Sequence, residues 1–276
     1  MVMGIKIFQV DAFTNESFRG NPAAVCILEE ELSDELYLKI AMEMNLSETA
    51  FVVKTPDENR FKLRWFTPEC EVSLCGHATL SAAHCLFKQY GLQGEILFDT
   101  KSGQLKAEAH YGNIMLDFPA RIPLKTEREI CDIQRALNCS ECFSLFRSDN
   151  SGFLLLLFET ERTVVELKPD FSKLKELEFE YEVHGLIVTA RSDGQEKDYD
   201  FCSRVFVPWL GINEDPVTGS AHTLLGPFWA ERLGKSTVRG YQASNRGGYI
   251  NVEHIEENRV MLTGEAVLIL EGILNV

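Results

Sequence analysis

Two short loops of this chain collect side chains capable of proton chemistry: Glu71-Val72-Ser73-Leu74-Cys75-Gly76-His77 and Glu214-Asp215-Pro216-Val217-Thr218-Gly219-Ser220. Cys75 offers a thiol, His77 an imidazole, Asp215 a carboxylate and Ser220 a hydroxyl. In each loop a glycine, Gly76 or Gly219, opens a stretch of small and apolar residues that reads as a helix. A helix N-terminus presents unpaired N–H groups and the positive end of its dipole, so each loop is a natural carboxylate cradle. Two such cradles facing one cleft would grip a small anionic metabolite. The same dipole would lower the pKa of Cys75 and favour thiolate, although a cysteine packed as a small hydrophobe fits the residues equally well. A third group lies upstream, in Asn45-Leu46-Ser47-Glu48-Thr49-Ala50-Phe51. Alternation after Leu46 predicts a strand entered from a helix that ends near Met44, which would leave Glu48 among apolar neighbours. Desolvation raises a carboxyl pKa, as a group that both takes and returns a proton near neutral pH requires. A plain surface glutamate fits the same pattern.

The elements that must position these groups come in two copies. Arg64-Trp65-Phe66-Thr67-Pro68 is echoed by Arg204-Val205-Phe206-Val207-Pro208. Gly76-His77-Ala78-Thr79-Leu80, running on to Gly91, is matched by Gly219-Ser220-Ala221-His222-Thr223-Leu224, running on to Gly234. Ile114-Met115-Leu116 is matched by Val260-Met261-Leu262. Three matches in one order indicate a duplicated unit, with a period too long for a solenoid. In that register Cys75 pairs with Thr218 and His77 with Ser220. Each copy predicts a strand ending at Phe-x-Pro, a loop, and a helix opened and closed by glycines. The helix from His77 to Tyr90 is apolar on nearly every side and therefore reads as buried. Short alternating segments around it, Ile5–Val10, Ala23–Leu28, Phe61–Phe66, Leu105–His110 and Ile114–Phe118, read as strands. The expected architecture is α+β, with two pseudo-symmetric barrel-like sheets, each wrapped around a central buried helix. The first domain would span residues 1–119, completed by a C-terminal strand at 265–276, and the second 120–264, with a polar linker near Pro119 to Pro123. Residues Lys173 to Glu182 read as a solvated helix face leading into a strand.

Composition narrows the function classes. The 276 residues carry 27 Lys+Arg against 42 Asp+Glu, a formal net charge of −15. Such a field repels phosphate backbones and anionic membrane surfaces, so nucleic acid and membrane are not expected partners. The dense apolar run Phe153 to Phe158 is far short of the roughly 18–20 residues that cross a bilayer, and the N-terminus alternates as a strand does instead of resembling a secretion signal. A cytoplasmic location with free thiols is expected, since the eight cysteines are sparse for a disulfide scaffold. Cys139 and Cys142 form a C-x-x-C without a second pair to complete a zinc site, so no metal is expected there. His84 reads as a core histidine, His222 as facing either cleft or core, and Arg246 as a turn residue or a carboxylate contact.

The motifs Asp11-Ala12-Phe13-Thr14, Phe18-Arg19-Gly20-Asn21-Pro22-Ala23-Ala24-Val25, Asn45 to Phe51, Arg64 to Pro68, Leu74-Cys75-Gly76-His77-Ala78-Thr79 and Glu214 to His222 together resemble the phenazine-biosynthesis PhzF-like family. The likeness runs from the first strand to the last. It extends to the eukaryotic branch of phenazine biosynthesis-like domain proteins, partly through Ser244-Asn245-Arg246-Gly247-Gly248. The resemblance implies a diaminopimelate epimerase-like fold with the active site between two domains, no metal or organic cofactor, and a homodimer. It implies catalytic roles for Glu48, His77 and Asp215, with Glu48 moving a proton between carbons of the substrate. Ser220, Gly76, Gly219, Asn21, Cys75, Thr218 and Arg246 complete the expected substrate-binding set. Relatives of the same fold use two opposed cysteines as racemases, but the repeat partner of Cys75 is Thr218, which cannot serve as a carbon base near neutral pH. A one-thiol epimerase or dehydratase, and a ligand-binding protein that kept the fold, stand as the alternatives.

Overall fold

Strand-forming runs of Val, Ile, Phe and Leu dominate both halves of the chain, and they pair in the same way twice. The computed structural model describes residues 4–126, 131–141, 144–148, 152–179, 183–194, 197–255 and 258–276. Its contacts divide the chain into two units, Met1–Phe118 with Met261–Val276, and Pro119–Val260. The return to the first unit falls at Met261, inside the strand Arg259–Gly264, where the expected position is 265.

The first unit contains β1 (Gly4–Ala12), β2 (Asn21–Leu28), α1 (Asp34–Met44), β3 (Glu48–Lys54), β4 (Arg60–Phe66), β5 (Glu71–Val72), α2 (Gly76–Lys88), β6 (Glu95–Thr100), β7 (Gly103–His110) and β8 (Asn113–Pro119). The second contains β9 (Pro123–Lys125), α3 (Cys131–Ala136), β10 (Ser144–Ser148), β11 (Phe153–Leu157), α4 (Glu161–Glu166), α5 (Phe171–Lys175), β12 (Gly185–Arg191), β13 (Phe201–Val207), β14 (Ile212–Asp215), α6 (Gly219–Leu233), β15 (Thr237–Gln242) and β16 (Gly248–Ile255). The chain ends with β17 (Arg259–Gly264) and β18 (Ala266–Asn275), which pairs antiparallel with β1.

Within the first unit, β1 and β2 are antiparallel, β2 and β3 parallel, β3 and β4 antiparallel, β4 and β6 parallel, and β6 and β7 antiparallel. Within the second, β10, β11, β12, β13, β15 and β16 follow in the same alternation. Each parallel step requires a crossover, and in both units one of these crossovers carries the long helix, α2 or α6. A second signature repeats as well. Arg64 bonds Glu71 through Nε and Nη2 at 2.8 and 2.7 Å, while Arg204 bonds Glu214 through the same atoms at 2.8 and 2.9 Å. Each guanidinium also lies over a phenylalanine ring, Phe66 or Phe206, 5.0 and 4.9 Å from its centre. These bidentate pairs fasten the short hairpins that lead into the two loops.

Every residue of α2 from Gly76 to Phe87 is buried, and the helix packs on β1, β2, β3, β7 and β18. Burying a side chain such as Leu80 or Phe87 stabilises the fold by about 1.5–3 kcal/mol, so the helix is the core of its unit. In α6, Pro227 cannot donate to the carbonyl of Thr223; that carbonyl instead accepts the Arg121 N–H at 3.0 Å, which docks the residues between β8 and β9 against the helix. The run predicted from Lys173 forms only the five-residue α5, capped by Asp170 and pinned by buried Leu174, and its last residues lie outside the described ones. Among the described residues, no helix is long and apolar enough to cross a membrane.

Candidate active site

Three backbone features bring the first cluster together. Helix α1 stops at Asn45, which adopts φ +50° and donates its N–H to Ala41 O, so the chain turns at once into β3 and Glu48 becomes its first residue. Because β3 runs parallel to β2 with Ala23 opposite Glu48, Asn21 and Glu48 emerge at the same end of two neighbouring strands. Helix α2 begins at Gly76 behind its N-cap Cys75, placing His77 in its buried first turn.

His77 is the hub. Its Nε2 lies 3.2 Å from Glu48 Oε2, its Nδ1 lies 3.2 Å from Asn21 Nδ2, and the same Nδ1 lies 3.5 Å from Cys75 Sγ. The Glu48 side chain is 19% exposed and that of His77 only 6%. Close as they are, Glu48 Oε2 and His77 Nε2 complete no directional hydrogen bond with any described group, so this contact is electrostatic. Buried polar atoms left out of the protein's own hydrogen bonding call for a physical account, and a catalytic role is one such account.

Burial, reinforced by the charge of Glu48, pushes the Cys75 thiol up, against opposing pulls from His77 and the Ala78 N–H. Cys75 is therefore a thiol near neutral pH; the dipole effect expected from the sequence is present but loses to desolvation. For His77, burial favours the neutral ring while negative charge on Cys75 and Glu48 favours the imidazolium, and the upward pull prevails. The Cys75 share of that pull needs a thiolate, which burial suppresses. Near neutral pH the contest is thus between burial and Glu48.

Glu48, Cys75 and His77 also form the one group among the described residues whose donor atoms, all within 4.8 Å, approach metal-ligand spacing. The thiol lies nearest Nδ1 of the ring and the carboxylate nearest Nε2.

In the second unit the repeat-equivalent loop is held differently. Thr218, the N-cap of α6, donates its hydroxyl to Asp215 Oδ2. Gln242, fully buried on β15, accepts the Thr218 N–H at 2.9 Å and donates to Asp215 O at 2.7 Å and Thr218 Oγ1 at 3.1 Å. Gly219 is buried at the start of α6, and Ser220 beside it is half-buried, with its carbonyl accepting the Thr223 hydroxyl. Arg246 is half-buried in a loop whose Ser244 hydroxyl donates to Pro216 O at 2.7 Å, tying it to the Asp215 loop. His222 belongs to the core: its Nδ1 bonds Thr218 O at 2.8 Å and burial lowers its pKa to about 4. His84 is also buried, with its pKa likewise lowered to about 4.

Gln242 is the residue that the two loops alone do not reveal. Its signal is local, since on β15 the inward positions are Val238, Gly240 and Gln242, and a polar residue on a buried face must find partners. Cys26, Cys70, Cys75, Cys85, Cys131, Cys139 and Cys202 are free; Cys142 of the C-x-x-C lies outside the described residues.

A duplicated mixed sheet wrapped around buried helices is an epimerase-like fold. In fold, the chain matches a hydroxyproline epimerase from Agrobacterium vitis with a TM-score of 0.60 at 10% identity, covering 99% of this chain and 93% of that one. The chain belongs to the phenazine biosynthesis-like protein family, whose pattern matches residues 10–272. It is 45% identical to mouse phenazine biosynthesis-like domain-containing protein 2, over 99% of both chains. It is also 45% identical to a Pseudomonas aeruginosa protein named an uncharacterized isomerase, over 98% of both. A crystal structure of a PhzF-family phenazine biosynthesis protein from Enterococcus faecalis superimposes with a TM-score of 0.90 at 41% identity, covering 99% of this chain and 100% of that one.

Proposed function

We propose that this chain is a cofactor-independent isomerase that moves a proton between carbons of a small carboxylate-bearing metabolite, with Glu48 as acid and base. The observation that carries the reading is the buried Glu48 Oε2, 3.2 Å from His77 Nε2 and unused in the protein's own hydrogen bonding. Relatives named as isomerases support it. Glu48 as carboxylate takes a proton from carbon, the electron pair is delocalised toward the substrate's unsaturation or carboxylate, and the Glu48 acid then protonates a second carbon. His77 stabilises the charge on Glu48 while it is a base. Asp215 and Ser220 keep the roles the family resemblance gives them, holding the substrate's polar groups and carboxylate. Positioned acid–base catalysis contributes about 10²–10⁴-fold, with orientation and a low-dielectric site supplying more.

The thiol reading has less support, because burial keeps Cys75 protonated. Turnover of an identified carboxylate substrate tests both readings. Loss in Glu48→Gln with retention in Cys75→Ala is expected; the reverse pattern assigns the chemistry to the thiol. Saturable binding without turnover would make the chain a ligand-binding protein.

A further inference from the structure

Asn21 has no exposed surface, and two constraints fix where its amide stands. Its backbone pairs with Ala12 across β1 and β2. The preceding Gly20 sits at φ +63°, where a Cβ would lie 2.1 Å from Ala12 O, so only glycine lets the chain enter β2 at this angle. The amide is thus delivered to His77 by rigid backbone.

The Asn21 atom at His77 Nδ1 is Nδ2, which can only donate. Cys75 Sγ approaches the same nitrogen at 3.5 Å and, as a thiol, is compatible with either role there. Nδ1 is therefore an acceptor. A neutral imidazole carries a single proton, which must then reside on Nε2, the nitrogen facing Glu48 Oε2. We infer that Asn21 is a positioning residue that sets the tautomer of His77: whenever the ring is neutral, its single proton stays on Nε2, the nitrogen 3.2 Å from Glu48 Oε2. This inference rests on the reading of Glu48 as acid and base, because only then does the direction of that N–H matter. Among the described residues, the titratable groups facing the ring are Glu48 from β3 and Cys75 from the α2 cap. An aspartate at position 21 would reverse the logic, accepting from Nδ1 and drawing a proton onto it.

The test reads the ring without any substrate. In the full chain labelled with ¹⁵N-histidine, long-range ¹⁵N–¹H correlation over a pH titration carried above the His77 midpoint, with His77 assigned by its loss in His77→Gln, should show the neutral ring with Nδ1 unprotonated and Nε2 protonated. In Asn21→Asp, Nδ1 should become protonated. In Asn21→Ala, which removes a donor to the neutral ring, the His77 midpoint should rise by about one pH unit or more. Circular dichroism identifies folded variants, and Cys75→Ser, which retains a donor, should keep the wild-type tautomer. A neutral wild-type His77 ring protonated on Nδ1, or folded Asn21 variants with an unchanged ring, would overturn the inference. Neither result depends on whether Glu48→Gln is active, so the two claims fail separately.

Discussion

Removing the Gln242 amide should loosen the Asp215 loop more than any surface change in the second unit. In Gln242→Ala, the Thr218 N–H loses its acceptor at 2.9 Å, the Asp215 carbonyl loses its donor at 2.7 Å, and Thr218 Oγ1 loses a donor at 3.1 Å. The side chain has no exposed surface, so these groups are left buried beside a cavity. Leaving a buried group unsatisfied costs about 1–3 kcal/mol; with the Thr218 N–H stranded and a cavity opened beside it, the expected loss is about 3 kcal/mol. Urea unfolding of the wild type and variant measures the total. Hydrogen exchange at the Thr218 amide measures the local part, and protection there should fall by about a hundredfold or more if opening of the loop absorbs about 3 kcal/mol. Gln242→Glu, which keeps an acceptor for the Thr218 N–H but not the donors, should fall between. A loss below about 1 kcal/mol with unchanged Thr218 exchange would refute the claim that this amide holds the loop.

Two further expectations concern protonation and thiol chemistry. His84 and His222 have folded pKa values lowered to about 4 by burial, against about 6.5 unfolded. The unfolded chain therefore binds more protons between those values. Stability should be full above about pH 6.5 and decline toward pH 4 by about 1.4 kcal/mol per pH unit for each histidine; unfolding at pH 7 and 5 should show this, and His222→Gln should flatten the slope for the second unit. Among the described cysteines, exposed Cys70 and Cys131 should react with iodoacetamide at pH 7.5 well before Cys75, which is buried and held as a thiol. Peptide mass mapping checks the order, and early labelling of Cys75 would contradict the burial argument.

Much of the site is legible in the sequence because its parts are local. Asn45 ends a helix three residues before Glu48, and glycines open both long helices, so the elements carrying Glu48, His77 and Ser220 follow from neighbouring residues. The duplication shows in paired motifs, and the structure repeats it down to the Arg64–Glu71 and Arg204–Glu214 pairs. Less local features stay hidden. Gln242 meets Asp215 across 27 residues, and no spacing rule links them. The short helices α4 and α5 depend on burying Val164 and Leu174 rather than on any periodic run. Cys75 shows the limit most clearly: its helix position is evident from the sequence, but the burial that keeps it a thiol is not.

The central claim is that Glu48 moves the proton. Small cyclic and acyclic carboxylates bearing a hydroxyl or amino group, incubated with the protein in heavy water, should include a compound that exchanges a carbon-bound proton for deuterium, visible by NMR. With that compound Glu48→Gln should slow exchange by about 10²-fold or more, while Cys75→Ala exchanges at a rate close to wild type. Exchange at the wild-type rate in a folded Glu48→Gln protein would contradict the account.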